Sequence, residues 1–395
     1  MFAKTDFSAD KQRVMDVLDS GVLFRYYTSN VEEIPVAQAE KHFCEKFGFK
    51  YALAVNSASS GLLLSLLACG LEEGDYVLMP AFTFVAVPST ITLSGAKPLL
   101  VEIDESYSVN LDHLEQQIQK FKPKFFMLSY MRGAVPDMDR VVEICDKYNV
   151  TIIEDCAHAL GVEWKGKLMG KFGQSMVTSF QSHKICDGGE GGMLATNDID
   201  VFLKAAFLSG CYEANIRKHV IDHPEKEEKI KECLNKIPPY NMRMNNLTAA
   251  LLFRQFDILD DKCERHRNLY NIVYENINKE KISFPPISEH VLPTLDSMQF
   301  GMYKYSDEQK LAFQKDMNSQ GIPISVIGLA PENARVYFNW KFIDPEYRKP
   351  EDFPITDHLI KGMVDVRLPF SMTEAEALDL AQRINAGLEK IDAME

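Results

Sequence analysis

Short, continuously apolar runs alternate along this chain with longer segments of helical periodicity. Tyr51–Val55, Tyr76–Pro80, Leu99–Ile103, Lys124–Leu128, Val150–Ile153, Met176–Phe180 and Gly192–Thr196 read as strands. Pro35–Phe47, Leu62–Cys69, Phe84–Leu93 and Met138–Tyr148 read as helices between them. Strands apolar at every position, not every second one, belong to a sheet covered on both faces. Strand and helix in alternation with short loops give an α/β fold with a mostly parallel sheet.

The texture changes after Asn215. Residues 215–239 are dense in charge and end at Pro238-Pro239, which reads as a surface excursion. From Asn245 one long helical pattern begins and leads into a smaller unit. That unit mixes strand-like text at Ser297–Tyr303 with helices at Asp307–Ser319 and Glu374–Ile391. A chain of 395 residues has room for two or three domains. The expected division is 1–264, a large domain with its N-terminal segment, and 265–395, a small C-terminal domain.

Charge and cysteines narrow the function classes. A net charge of −14 without a basic run is unsuited to nucleic acid. No apolar run approaches the ~20 residues of a membrane span. The polar start, Met1 to Asp6, does not read as a secretory leader. The eight cysteines are scattered without a Cys-x-x-Cys pair, so neither a zinc site nor a disulfide framework is expected. The expectation is a cytoplasmic enzyme or binding protein without a metal.

Three local signals could carry chemistry. Ser57-Ala58-Ser59 lies between a strand and a helix start, where free N–H groups and the helix dipole suit a phosphate; plain N-capping by Ser is the alternative. Asp155 follows a buried strand, at the sheet edge where α/β active sites form. It could bind a metal, work as an acid or base, pair with a cationic ring nitrogen, or merely cap a helix. Lys184 follows the next strand and precedes Gly188, Gly189, Gly191 and Gly192. A lysine enclosed there is a candidate Schiff-base nucleophile, and a solvated surface lysine otherwise. The glycine spacing is not that of a dinucleotide loop. Near the N-terminus, Phe24-Arg25-Tyr26-Tyr27 joins a cation to aromatics; Arg25 and Tyr26 could hold an anionic substrate group or simply pack.

Taken in order, these segments resemble the DegT/DnrJ/StrS family of sugar aminotransferases. The resemblance runs through Lys50–Val55, Ser57–Gly61, Gly74–Val77, Pro80–Ala86, Gly95–Pro98, Glu102–Asp104, Glu154–Gly161, Ser179-Phe180, Lys184, Gly189–Gly192 and Tyr240–Met244. It implies the fold type I transferase architecture: a large domain with a mostly parallel seven-stranded sheet flanked by helices, and a smaller C-terminal α+β domain. It implies pyridoxal 5′-phosphate as cofactor. Lys184 would link to it covalently and later shuttle a proton, and Asp155 would pair with its ring nitrogen. Phe84 would stack on the ring, and His158 would stand near the ring hydroxyl. Ala58, Ser59 and Ser179 match phosphate-binding positions. Asn241 matches a residue that reaches the phosphate from a neighbouring subunit, so a homodimer with its site at the interface follows.

The resemblance implies transfer of an amino group from an amino acid, L-glutamate, to a keto-sugar, nucleotide-linked in most of the family. Unlinked acceptors, such as 8-oxo-Kdo, a sugar phosphate or a cyclitol ketone, are the alternative. A subgroup dehydrates sugars instead and has histidine in place of the lysine. Counting from Ser179 and back from Gly189 puts Lys184, not His183, at that position. Two departures stand out. Ala58-Ser59 replaces the family's usual Gly-Thr or Gly-Ser, and Leu208–Glu213 differs from the usual stretch beside the substrate.

Overall fold

The computed structural model describes residues 5–28 and 30–394. Met1–Lys4, on which the expectation of no leader partly rests, lie outside the described residues. Strands β1 (Tyr51–Val55), β2 (Tyr76–Pro80), β3 (Lys97–Val101), β4 (Phe125–Ser129), β5 (Thr151–Asp155), β6 (Ser175–Ser179) and β7 (Gly192–Thr196) form one seven-stranded sheet. Their order is β1-β7-β6-β5-β4-β2-β3. All neighbours are parallel except β7, which runs antiparallel to both β1 and β6. The α/β fold and its mostly parallel sheet are borne out. Strand edges shift by one or two residues from the expected ones, as at Leu99–Ile103 against Lys97–Val101.

Helices α1 (Lys11–Ser20), α2 (Pro35–Phe47), α3 (Ala58–Ala68), α4 (Ala86–Leu93), α5 (Leu111–Phe121), α6 (Met138–Tyr148), α7 (Ile199–Leu208), α8 (Lys226–Cys233) and α9 (Asn246–Asp257) surround the sheet. Apolar clusters lie on both of its faces, which explains why the strands are apolar throughout. Helix α3 packs close on the sheet. A Cβ on Gly61 would come within 2.7 Å of Val177 Cγ1, so only glycine permits that approach.

Two expectations fail here for physical reasons. The charged stretch 215–239 is more than a surface excursion: Ile216, Ile221, Ile230 and Cys233 are buried in the first apolar cluster, while Glu225, Lys226, Glu227 and Glu228 face solvent. The single long helix from Asn245 is two, α9 and α10 (Leu259–Asn276), broken at Ile258. No proline or glycine marks the break. The chain changes cores there: Phe256, Leu259 and Cys263 pack beside the large sheet, whereas Leu269, Tyr270 and Val273 pack in a third cluster.

That third cluster also holds α11 (Asp307–Ser319), α13 (Glu374–Asp392) and an antiparallel sheet of β8 (Ser297–Gly301), β10 (Met363–Arg367) and β9 (Ile324–Val326), with β10 in the middle. Helix α12 (Pro354–Gly362) precedes β10. Residues between β9 and β10, among them Val336, Tyr337 and Trp340, pack in the first cluster with the large sheet.

Candidate active site

Three parallel strands end at one place. Ser129 closes β4, Asp155 closes β5 and Ser179 closes β6. Carboxyl ends of parallel strands are where an α/β sheet opens a crevice. A cavity of about 540 Å³ lies there. Ser57, Ala58, Ser59, Phe84, Asp155, His158, Ser179 and Lys184 all line it. Eight sequence positions spread over three loops and two helix starts are thus brought together.

In β5 adjacent residues point to opposite faces. Glu154 turns away from the cavity, where it accepts from Tyr130 O–H at 2.7 Å and from the N–H groups of Gly170, Phe172 and Gly173. Asp155 turns toward the cavity. Burial pushes its carboxyl pKa upward; the Ser129 hydroxyl (2.8 Å) and the Ala157 N–H (3.1 Å) oppose that push. Thr83 in turn donates to Ser129 Oγ at 2.8 Å, so the carboxylate is held from behind.

Lys184 sits in a loop closed by backbone bonds from Phe180 N–H to Gly191 O and from Ser182 N–H to Gly189 O. Its pKa is lowered to about 7, first by burial and then by the positive charge of Arg367. Its Nζ lies 2.6 Å from His158 Nε2. Burial, then the charge of Lys184, also holds the His158 ring well below its ordinary pKa. The Arg132 N–H donates to His158 Nδ1 at 3.3 Å, which assigns the ring proton to Nε2. With that tautomer His158 Nε2–H faces Lys184 Nζ and donates to its neutral form, which a pKa of about 7 brings into reach at neutral pH.

Helix α3 begins at the cavity. Ser57 caps it, its hydroxyl oxygen accepting from Ser60 N–H at 3.1 Å. The capping alternative is thus present as well, but Ala58 and Ser59 N–H have no acceptor within the helix and remain for an anion. A Cβ on Gly192 would approach Ala58 N to 2.7 Å, so glycine lets β7 close against this turn. Phe84 is 46% exposed at the rim, a flat face available for stacking.

Three expected residues lie elsewhere. Arg25 and Tyr26 do not line the cavity, and the substrate-binding reading is corrected. Arg25 is 1% exposed and forms a two-point pair with Glu40 at 2.7 and 3.0 Å, with His219 Nδ1 at 3.1 Å. Tyr26 O–H bonds His219 Nε2 at 2.7 Å. A buried guanidinium keeps its carboxylate, so this cluster packs. Asn241 is exposed on the protomer surface and outside the cavity.

Reading by sequence missed Ser129, Arg132, Arg335, Asp365 and Arg367, all of which line the cavity. Ser129 and Arg132 follow β4 much as Asp155 ends β5, so the same strand-end rule could have found them. No local signal marks the other three.

A fold with this sheet order and a lysine–carboxylate–helix-end cavity defines a class of cofactor-dependent transferase. The chain matches the model of the DegT/DnrJ/EryC1/StrS aminotransferase family over residues 6–385 and belongs to that family, whose members work with pyridoxal phosphate. It is 34% identical over 244 residues to GDP-perosamine synthase of Escherichia coli O157:H7, a match covering 62% of this chain and 63% of that one. It is 26% identical over 381 residues to dTDP-3-amino-3,6-dideoxy-alpha-D-galactopyranose transaminase of Aneurinibacillus thermoaerophilus, covering 95% and 94%. The chain spans about three fifths of the length of the curated relatives it matches first. Its fold is that of an aminotransferase from Psychrobacter cryohalolentis, with a TM-score of 0.85 at 22% identity over 99% and 100% of the two chains. The fold type I architecture follows.

Proposed function

We propose that this protein is an aminotransferase that moves an amino group from an amino acid, L-glutamate, to a keto-sugar. The observation that carries the reading is Lys184, its pKa lowered to about 7, 2.6 Å from His158 and in one cavity with Asp155 and the start of α3. These groups fit pyridoxal phosphate: an amine for its aldehyde, a carboxylate for its ring nitrogen, unpaired N–H groups for its phosphate and a flat face for its ring. When bound, the cofactor supplies an electron-withdrawing ring that eases proton loss from the carbon carrying nitrogen.

The chain's residues then have defined tasks. Ala58 and Ser59 N–H, with Ser179, would hold the phosphate. Asp155 would pair with the ring nitrogen. Phe84 would stack on the ring, and His158 would stand near the ring hydroxyl. Lys184 would anchor the cofactor covalently and, when free, would be the base placed to take up and give back a proton beside it. Asn241 would reach the phosphate bound in a neighbouring protomer, which makes the enzyme a homodimer. The relatives' names carry GDP- and dTDP-linked sugars, which favours a nucleotide-linked acceptor.

The test is an absorbance spectrum of the protein with pyridoxal phosphate, before and after glutamate. A yellow band that fades as 2-oxoglutarate is released supports the reading. A panel of keto-sugars then identifies the acceptor. No band after adding the cofactor overturns the assignment of Lys184. A band that glutamate leaves unchanged overturns the donor.

A further inference from the structure

Arg132 has a backbone that its residue type seldom takes. In the turn after β4 it lies at φ 58° and ψ 21°, the left-handed region. Glycine enters that region freely, whereas a residue with a Cβ does not. In this conformation the Arg132 N–H meets His158 Nδ1 at 3.3 Å. A turn of this kind built on arginine needs something to hold it.

The side chain supplies the hold. It is 4% exposed, and its Nη2 pairs with Asp365. Its Nε and Nη1 are buried without a partner, so the Asp365 contact is its one polar anchor. Asp365 comes from the small sheet, in the middle strand β10, opposite Gln299 of β8 and Ser325 of β9. Its neighbours Val364 and Val366 enter the third apolar cluster, and Asp365 points the other way, to the cavity. Gln299 Nε2 donates to its Oδ1 at 2.8 Å. Burial pushes the Asp365 carboxyl up, but the charges of Arg132, Arg335 and Arg367 hold it below the usual carboxylate range. It is an anion fixed on a strand. Without it Arg132 would stand buried beside Arg335 and Arg367 with its charge unanswered.

The turn delivers a proton position. An amide N–H only donates, so the Nδ1 that faces it accepts, and the neutral ring carries its proton on Nε2. Nε2 lies 2.6 Å from Lys184 Nζ. A ring free to flip or to change tautomer would present a lone pair there instead. A chain of contacts thus runs from the small sheet to the amine through Asp365, Arg132 and His158.

We infer that Asp365 and Arg132 are positioning residues: their ion pair pins the left-handed turn, and the turn's N–H keeps the His158 proton on Nε2, directed at Lys184. When the cofactor is bound, its ring hydroxyl would meet the same donor. That last role rests on the aminotransferase reading above; the fixed tautomer does not.

The test is nitrogen-15 NMR of the full-length protein without cofactor, labelled at its nine histidines, with H158Q to assign the His158 signals. In the wild type the Nε2–H form should exceed the Nδ1–H form about twentyfold or more. R132A and D365A should each reduce that excess to about fivefold or less, the mild preference of an unconstrained ring. R132G/D365A should restore it, because glycine takes the turn without a pin. A role confined to holding the fold predicts the reverse, since the double variant loses both partners. Circular dichroism and the unfolding midpoint show which variants fold; where one single variant does not, the other decides. The inference is overturned if the wild-type proton sits on Nδ1 or shows only the excess of an unconstrained ring. It is also overturned if a folded single variant keeps the wild-type excess, or if the double variant does not regain it. Release of 2-oxoglutarate from glutamate by the wild-type protein tests the parent reading separately.

Discussion

Lys184 is disfavoured as a cation in its own cavity, which has two measurable consequences. The folded chain sheds the lysine proton at about pH 7, whereas an ordinary lysine holds it to 10.5. Between those values the unfolded chain binds the extra proton, so stability from this group rises with pH across that window and is lowest below it. Lys184→Met should raise the unfolding midpoint of cofactor-free protein at pH 6 and raise it less at pH 10.5. One pKa unit is worth about 1.4 kcal/mol, and solvent in the cavity reduces the full effect to about 1–2 kcal/mol. Calorimetry at the two pH values decides, and an equal shift at both would mean the amine is not perturbed. Lys184→Ala should lose turnover by roughly 10⁴-fold or more while keeping its circular dichroism, because anchor and base are one group. Lys184 and Asp155 were legible because each follows an apolar strand. Arg25 looked equally chemical in the sequence; only its burial against Glu40 shows that it packs.

At the scale of elements, that buried pair ties the N-terminal segment to helix α2 and to the sheet. Glu40 also accepts from Ala54 N–H in β1 at 2.8 Å. Burial pushes the Glu40 pKa up, but Arg25 and then His219 hold it down at about 2. Its stabilising charge is present above the ordinary carboxylate range and is lost as pH falls toward 2. Glu40→Ala leaves a guanidinium buried without a partner and should cost about 3–5 kcal/mol, read as a lower denaturant midpoint at pH 7. A change under 1 kcal/mol would show that the pair is replaceable. Element types were legible wherever the apolar pattern was strong: Pro35–Phe47, Met138–Tyr148, Asp307–Ser319 and Gly192–Thr196 fall where periodicity puts them. The break at Ile258 was not, because helical periodicity continues through it while the packing partner changes.

At the scale of the whole molecule, the proposed homodimer makes a complementation prediction. A Lys184→Ala protomer and an Asn241→Ala protomer are each deficient alone. Refolded together they should regain activity, because one site of each mixed dimer then has Lys184 and the partner's Asn241. Gel filtration of the mixture alongside the assay checks both assembly and rescue; dimers without rescue would place Asn241 outside the site. We also propose 1–264 and 265–395 as the two domains. Val336, Tyr337 and Trp340 of the second are buried in the first one's core, at 0%, 0% and 2% exposure. A fragment of residues 265–395 expressed alone should therefore aggregate or unfold without cooperativity in thermal melts. A soluble, cooperatively folding fragment would show that this segment is dispensable to the second unit.

The sequence by itself determined the sheet, most of the helices, the order of the strand-end residues and the family, because apolar periodicity and short motifs are local properties. It also placed Lys184, Asp155 and the 57–59 turn after strands, and Phe84 at the start of a helix that begins at Ala86 instead, all of which the parallel sheet gathers at one edge. The tertiary structure alone decided what those residues meet. It turned Asp155 inward and Glu154 outward, set His158 against Lys184 as a donor, and buried Arg25 with Glu40. It also brought Arg335, Asp365 and Arg367 from the far end of the chain to the wall facing Lys184. Such pairings depend on which segments pack together in space, and no pattern confined to a few neighbouring residues encodes that.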